Sequence, residues 1–176
     1  ARPTSAKVVQ ALFNILGPLP PRSFLDLFAG TGRVSEAAWR RGARPVVAVE
    51  LRRPRGGGRA FLPEAKGGTP EEEGVETFWG DVRRALRHFQ RHGKSFDIIF
   101  ADPPYDFSKT TFIPDLIFRN HFLYPGGWLI IEHPKKIDFS HHPFFIKKKN
   151  YGRVNFSFFS DEGSQTVERA STSSAK

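Results

Sequence analysis

The chain has 176 residues, 39% of them hydrophobic, with a formal net charge of +9 and no cysteine. That length and apolar content suit one globular core, and zero cysteines exclude disulfides, thiolate catalysis and cysteine-ligated zinc together. No apolar run approaches membrane-spanning length and no charged-then-apolar leader is present, so the expectation is a soluble, cytoplasmic monomer without a membrane partner; the positive excess points to a polyanion.

In chain order, the first element is an amphipathic helix from Ser5 to Leu16, with Val8, Ala11, Leu12, Ile15 and Leu16 on one side. Next, Ser23-Phe24-Leu25-Asp26-Leu27-Phe28-Ala29-Gly30-Thr31-Gly32 is an apolar strand running into a Gly-x-Gly turn, and Val34, Ala37 and Ala38 before Gly42 form a helix with a glycine stop. Strand, glycine turn and helix N-terminus together make a nucleotide-type site: the glycines admit a ligand close to the backbone, and the helix amides face an anionic group. A second strand, Pro45 to Glu50, ends in an acid where doubly wound folds bond ribose hydroxyls. A dinucleotide oxidoreductase shares these features, with Ser35 standing where its third glycine would be. Asp26 argues the other way, because a dinucleotide phosphate would have to meet its carboxylate. S-adenosylmethionine has no phosphate, and its ammonium can sit on Asp26 directly or through water while the turn amides face its carboxylate.

Leu51 to Gly74 carries Gly56-Gly57-Gly58, Pro63, Gly67-Gly68 and Pro70. It is expected to be a mobile insert with at most a short helical turn around Arg59 to Ala65. A third strand near 75–79 leads through Gly80 to Asp81. The helix that follows is apolar at Val82, Ala85, Leu86 and Phe89, leaving Arg83, Arg84, Arg87 and Arg91 on its other faces, which reads first as a solvated basic surface. His88 and His92 have helical i,i+4 spacing, but arginines surround them and no Glu partner is near, so no metal site is expected. His141-His142 reads as a solvated loop.

The fourth strand, near 97–101, ends at Asp102-Pro103-Pro104-Tyr105. Two prolines fix φ, remove two donors and keep the turn stiff with its carbonyls free. Asp102 adds an acceptor-only carboxylate and Tyr105 a flat aromatic face, which together suit a planar heterocycle presenting an exocyclic amino group. The structural alternative is a tight turn in which the Asp caps and the Tyr packs. Pro125-Gly126-Gly127 reads as a turn into a strand at 128–133. Strands at 143–149 and 153–159 form a hairpin whose Lys147, Lys148, Lys149 and Arg153 favour phosphate contact over edge protection. Gly163 to Lys176 reads as a disordered tail. The predicted fold is α/β, a single doubly wound domain with five parallel strands and a C-terminal antiparallel hairpin.

Taken in order, Asp26-Leu27-Phe28-Ala29-Gly30-Thr31-Gly32, Glu50 and Asp102-Pro103-Pro104-Tyr105 resemble the class I S-adenosylmethionine-dependent methyltransferases that modify an exocyclic amino group. Within that class, Arg2-Pro3-Thr4-Ser5 leading into Ala11-Leu12-Phe13-Asn14-Ile15-Leu16, and Tyr151-Gly152-Arg153-Val154, resemble the bacterial ribosomal-RNA small-subunit methyltransferase D family, which methylates guanine N2. The resemblance spans residues 1–160, leaving 161–176 as a tail, and implies a Rossmann-like seven-stranded fold with S-adenosylmethionine as cofactor and no metal. It implies cofactor contacts at Thr4, Asp26, Phe28, Ala29, Gly30, Gly32, Glu50, Gly80, Asp81 and Asp102, with Asp81 at the adenine amino group. It implies catalysis at Asp102, Pro103, Pro104 and Tyr105, and RNA contact at Arg2, Lys147, Lys148, Lys149 and Arg153. The partner implied is ribosomal RNA or the small subunit, with the target base single-stranded, looped or flipped out. The family has an N-terminal β-hairpin ahead of the Arg-Pro-Thr segment; here that hairpin is expected to be lost or trimmed, since the sequence has no Met. Adenine-N6 methylation of DNA, a nicotinamide oxidoreductase and a non-catalytic RNA-binding module are the competing readings.

Overall fold

Strands that are apolar on both faces need cover on both sides, and Phe24-Leu25 and Ile98-Ile99-Phe100-Ala101 are of this kind. The computed structural model, which describes residues 6–18, 22–51, 74–104 and 108–161, supplies that cover with helices on each face. The elements are α1 (Ala6–Leu16), β1 (Phe24–Asp26), α2 (Arg33–Arg40), β2 (Val46–Glu50), β3 (Glu76–Trp79) and α3 (Val82–Arg91). They continue with β4 (Phe96–Ala101), a 3₁₀ turn (Thr110–Phe112), α4 (Ile113–Arg119), β5 (Leu123–Pro134), β6 (Phe145–Tyr151) and β7 (Val154–Phe159).

The strands form one seven-stranded sheet in the order β3-β2-β1-β4-β5-β7-β6. β1 to β5 are mutually parallel, and β7 runs antiparallel to both β5 and β6. The expected parallel set and final hairpin are therefore present. On one face, α1 and α2 bury Leu12, Phe13, Val34 and Ala38 against Phe24, Ala48, Phe100 and Phe156. On the other, α3 and α4 bury Leu86, Phe89 and Ile117 against Leu25, Val47, Ile99 and Leu129. The strand order reverses between β1 and β4, so the crevice beyond their carboxyl ends is where this topology places a ligand.

Three details differ from the sequence reading. The buried stripe of α1 is Val9, Leu12 and Phe13, with Val8, Ile15 and Leu16 at its margin and Ala11 half-buried. Both stripes have helical spacing; the one carrying Phe13 buries more and stacks that ring on Phe24 at 6.2 Å. β5 starts at Leu123 and contains Pro125-Gly126-Gly127, which is not a turn ahead of the strand. The register slips between Phe96 and Ile98 there, and a Cβ on Gly127 would meet the Asp97 carbonyl oxygen at 2.8 Å, so only glycine admits this strand contact. The hairpin strand β6 lies two residues later than expected, and its turn is Gly152-Arg153, with Gly152 at φ 60. The expected insert at 52–73 and the tail at 162–176 lie outside the described residues.

Candidate active site

Each acid singled out in the sequence closes or follows a strand. Asp26 is the last residue of β1, Glu50 the last of β2, Asp81 follows β3 and Asp102 follows β4. Since β3, β2, β1 and β4 are neighbours in that order, the four carboxyl-bearing residues line one cavity of about 840 Å³ at the switch point. Such a volume is ample for a nucleoside-sized ligand.

The glycine turn forms part of the cavity lining. Leu27 N–H donates to the Phe100 carbonyl and Ala29 N–H to that of Val49, so the chain stays tied to both neighbouring strands as β1 ends. Gly30 and Gly32 then take φ 54 and 84, left-handed values that a side chain disfavours, and Gly32 N–H closes the turn on the Ala29 carbonyl at 2.8 Å. Phe28, Ala29 and Gly30 line the cavity, whereas Gly32 is buried as the residue that starts α2.

Asp26 is only 1% exposed, and its Oδ2 accepts the Ser35 hydroxyl at 2.7 Å. Ser35, at the third-glycine position of a dinucleotide fingerprint, thus fixes the orientation of a cavity carboxylate. Leu51 N–H donates to Glu50 Oε1 at 3.0 Å, and Gly80 N–H donates to the Glu50 carbonyl at 2.8 Å. Asp81 caps α3 by accepting from Arg84 N–H at 2.8 Å and still lines the cavity, so capping does not withdraw it from the lining. Asp102 and Pro104 line the cavity, while Pro103 is half-buried beside them and is not part of the lining.

Thr4, Arg2 and Tyr105 lie outside the described residues. Lys147, Lys148 and Lys149 are brought together on the exposed edge strand β6, away from the cavity, with Arg153 in its turn. The Lys147 ammonium lies over the Phe158 ring at 5.1 Å, a cation–π contact that engages one of the three.

The sequence reading missed two sets of lining residues. Leu51 and Val82 follow Glu50 and Asp81 directly and put apolar surface beside each carboxylate. Leu51 is 63% exposed, a large apolar side chain presented to a cavity. The signal was available: an acid at or just past a strand end followed by an apolar residue puts an acceptor and an apolar surface side by side. The second set is Arg33, Arg83, Arg87 and Lys109, which add cations to the lining. Carboxylates from the strand ends and cations from α2, α3 and the turn at Lys109 share the lining, which gives the cavity partners for both positive and negative groups.

Residues 1–160 match the family described as conserved hypothetical protein 95. A ribosomal RNA small subunit methyltransferase D from Haemophilus influenzae is 30% identical over 136 residues, covering 76% of this chain and 68% of that protein. The Bacillus subtilis protein YlbH is 27% identical over 171 residues, covering 92% of this chain and 89% of its own. Among solved structures, a Thermus thermophilus 16S rRNA N2 methyltransferase, determined with AdoMet and guanosine, superposes with a TM-score of 0.59 at 25% identity. That match covers 90% of this chain and 43% of the other. With its switch-point cavity, its glycine turn and a family match over nearly its whole length, the chain belongs to the conserved hypothetical protein 95 family and has the class I methyltransferase fold.

Proposed function

We propose that this chain methylates guanine N2 in small-subunit ribosomal RNA, using S-adenosylmethionine. The observation that carries the reading is the convergence of Asp26, Glu50, Asp81 and Asp102 from four adjacent strands on one cavity. The residues fit the cofactor: Glu50 is an acceptor for ribose hydroxyls, Leu51 and Val82 offer apolar surface to adenine, and Asp81 an acceptor for its amino group. Asp26, held by Ser35, suits the ammonium, while the amides after Gly30 suit the carboxylate. A dinucleotide phosphate would meet Asp26 in the same place, which disfavours a nicotinamide cofactor.

When bound, S-adenosylmethionine supplies an electrophilic methyl group on its sulfonium. The purine amino group is a poor nucleophile, because its lone pair is delocalised into the ring. The chain's task is therefore to orient that lone pair. The Asp102 carboxylate accepts one N–H bond, and the Pro103 carbonyl, beside the lining, accepts the other from a base that reaches past Pro104; together they favour a pyramidal nitrogen and stabilise the positive charge that grows there. Tyr105 stacks on the base. Arg33, Arg83, Arg87 and Lys109 attract the phosphates around a target that is unpaired or flipped out. Lys147, Lys148, Lys149 and Arg153 hold RNA further away, and Arg2 and Thr4 belong to the same RNA and cofactor machinery. Residues 1–160 act as one methyltransferase domain, working as a monomer in the cytoplasm, where small subunits assemble. No described helix is long and apolar enough to cross a membrane.

Mass mapping of methylated nucleosides in ribosomal RNA from cells with and without the gene tests the reading. Loss of one N2-methylguanosine from small-subunit RNA is expected. An unchanged nucleoside map would remove this substrate.

A further inference from the structure

Beyond the cavity, we propose that the exposed face of α3 is a second RNA site, which grips an unpaired segment flanking the target nucleotide through its phosphates and one stacked base. This inference rests on the RNA-methylating reading above. Arg84, Arg87, Arg91, His88 and His92 of α3, with Phe78 of β3, line a recess of about 300 Å³. The Phe78 and His88 rings are 5.3 Å apart and the His88 and His92 rings 4.3 Å apart, so three rings form a continuous ladder. His92 Nδ1 lies 2.9 Å from the His88 carbonyl, which holds the outer ring in place. Aromatic planes beside cationic side chains are how proteins hold single-stranded nucleic acid without reading its sequence.

Among the described residues, no ion pair offsets the charge on this face. An ordinary solvated helix face mixes signs and forms i,i+4 pairs, as Arg40 and Glu36 do on α2 at 2.8 Å. Among the described residues, no acidic side chain pairs with Arg83, Arg84, Arg87 or Arg91. The one acid at the start of α3, Asp81, is engaged in the cap. The recess also adjoins the active-site cavity, since Arg87 lines both and Arg83, one turn earlier, lines the cavity. From Arg83 to Arg91 is about 12 Å of helix at 1.5 Å per residue. A strand leaving the cavity therefore meets Arg83, Arg87 and then the ring ladder. The lysine edge β6 lies six strand spacings from β3, about 29 Å away, so the two basic surfaces bind different phosphates.

The test uses Arg84→Ala/Arg91→Ala and His92→Ala, all outside the large cavity, with anisotropy on a small-subunit RNA fragment carrying an unpaired loop and on a fully paired RNA of equal length. The double variant is expected to bind the looped RNA about tenfold more weakly, with a log K against log salt slope shallower by about 1 to 2 units. His92→Ala should lose about five- to tenfold on the looped RNA with an unchanged slope, lose nothing on the paired RNA, and be rescued by His92→Phe. S-adenosylhomocysteine affinity by calorimetry should match wild type in every variant, which shows that the fold is intact. Wild-type affinity and slope in the double variant would overturn the site, as would equal losses by His92→Ala on looped and paired RNA. If wild type methylates RNA while the double variant binds it unchanged, the α3 site alone fails. If wild type binds neither RNA, the functional reading falls with it.

Discussion

Asp26 does two things at once: it lines the cavity, and it is buried with the Ser35 hydroxyl on Oδ2. Ser35→Ala removes a hydrogen bond to a buried carboxylate and should cost about 1–3 kcal/mol, read as a lower urea midpoint. A midpoint equal to wild type would make Ser35 a bystander. Glu50→Ala should weaken S-adenosylhomocysteine binding by about 1–3 kcal/mol in calorimetry, and an unchanged affinity would remove Glu50 from the ribose. His133, 2% exposed on β5, lies with Nε2 2.6 Å from Ser157 Oγ and Nδ1 2.9 Å from the Pro134 carbonyl. Burial lowers its pKa below the ordinary 6.5. The unfolded chain therefore binds this proton more readily, and the stability His133 contributes is complete above about pH 6.5 and lost as the pH falls through the lowered folded-state value. Denaturant titrations from pH 7.5 downward should show that decline in wild type and a flatter one in His133→Gln. Parallel curves would contradict it.

At the scale of elements, β1 and β4 are clamped where they begin. Ser23 N–H and Oγ–H both donate to Asp97 Oδ2, at 2.9 and 3.0 Å, and Asp97 N–H donates back to Ser23 Oγ at 2.9 Å. The two strands that carry Asp26 and Asp102 at their far ends are thereby held in register. Asp97→Ala should destabilise by about 1–3 kcal/mol, and a loss under 0.5 kcal/mol would show that the sheet ladder alone sets it. On the opposite edge, replacing Lys147, Lys148 and Lys149 together by Ala should make the salt slope of RNA binding shallower by up to about 2 units with cofactor affinity unchanged. An identical slope would return the lysines to protecting an open sheet edge. Asp26, Glu50 and Asp102 were legible in the sequence because each ends an apolar strand run, a local pattern with one structural outcome, whereas Asp81, after the mixed strand β3, was reached through the resemblance. Arg83 and Arg87 were not, since helical periodicity separates buried from polar faces but cannot say which polar face meets a cavity. Val9 and Phe13 were missed because two stripes of equal spacing competed. Pro125-Gly126-Gly127 has turn chemistry, and its place inside β5 was decided by the close approach of Gly127 to the Asp97 carbonyl, a long-range contact.

For the molecule as a whole, the sheet order sets the division of labour. Reversal between β1 and β4 opens the crevice, the four strand ends on that side supply carboxylates, and α2, α3 and Lys109 surround them with cations. Four of the chain's basic residues thus share the cavity with its carboxylates, an arrangement that fits a cationic cofactor and a polyanion together. Asp102 is expected to act on the amino group as charge develops, and single-turnover methyl transfer to small-subunit RNA or assembled subunits tests this most directly. Asp102→Ala should transfer tritiated methyl about 10²-fold or more slowly than wild type at saturating RNA, with little change in cofactor affinity. A wild-type rate from Asp102→Ala, on a substrate the wild type methylates, would contradict the mechanism.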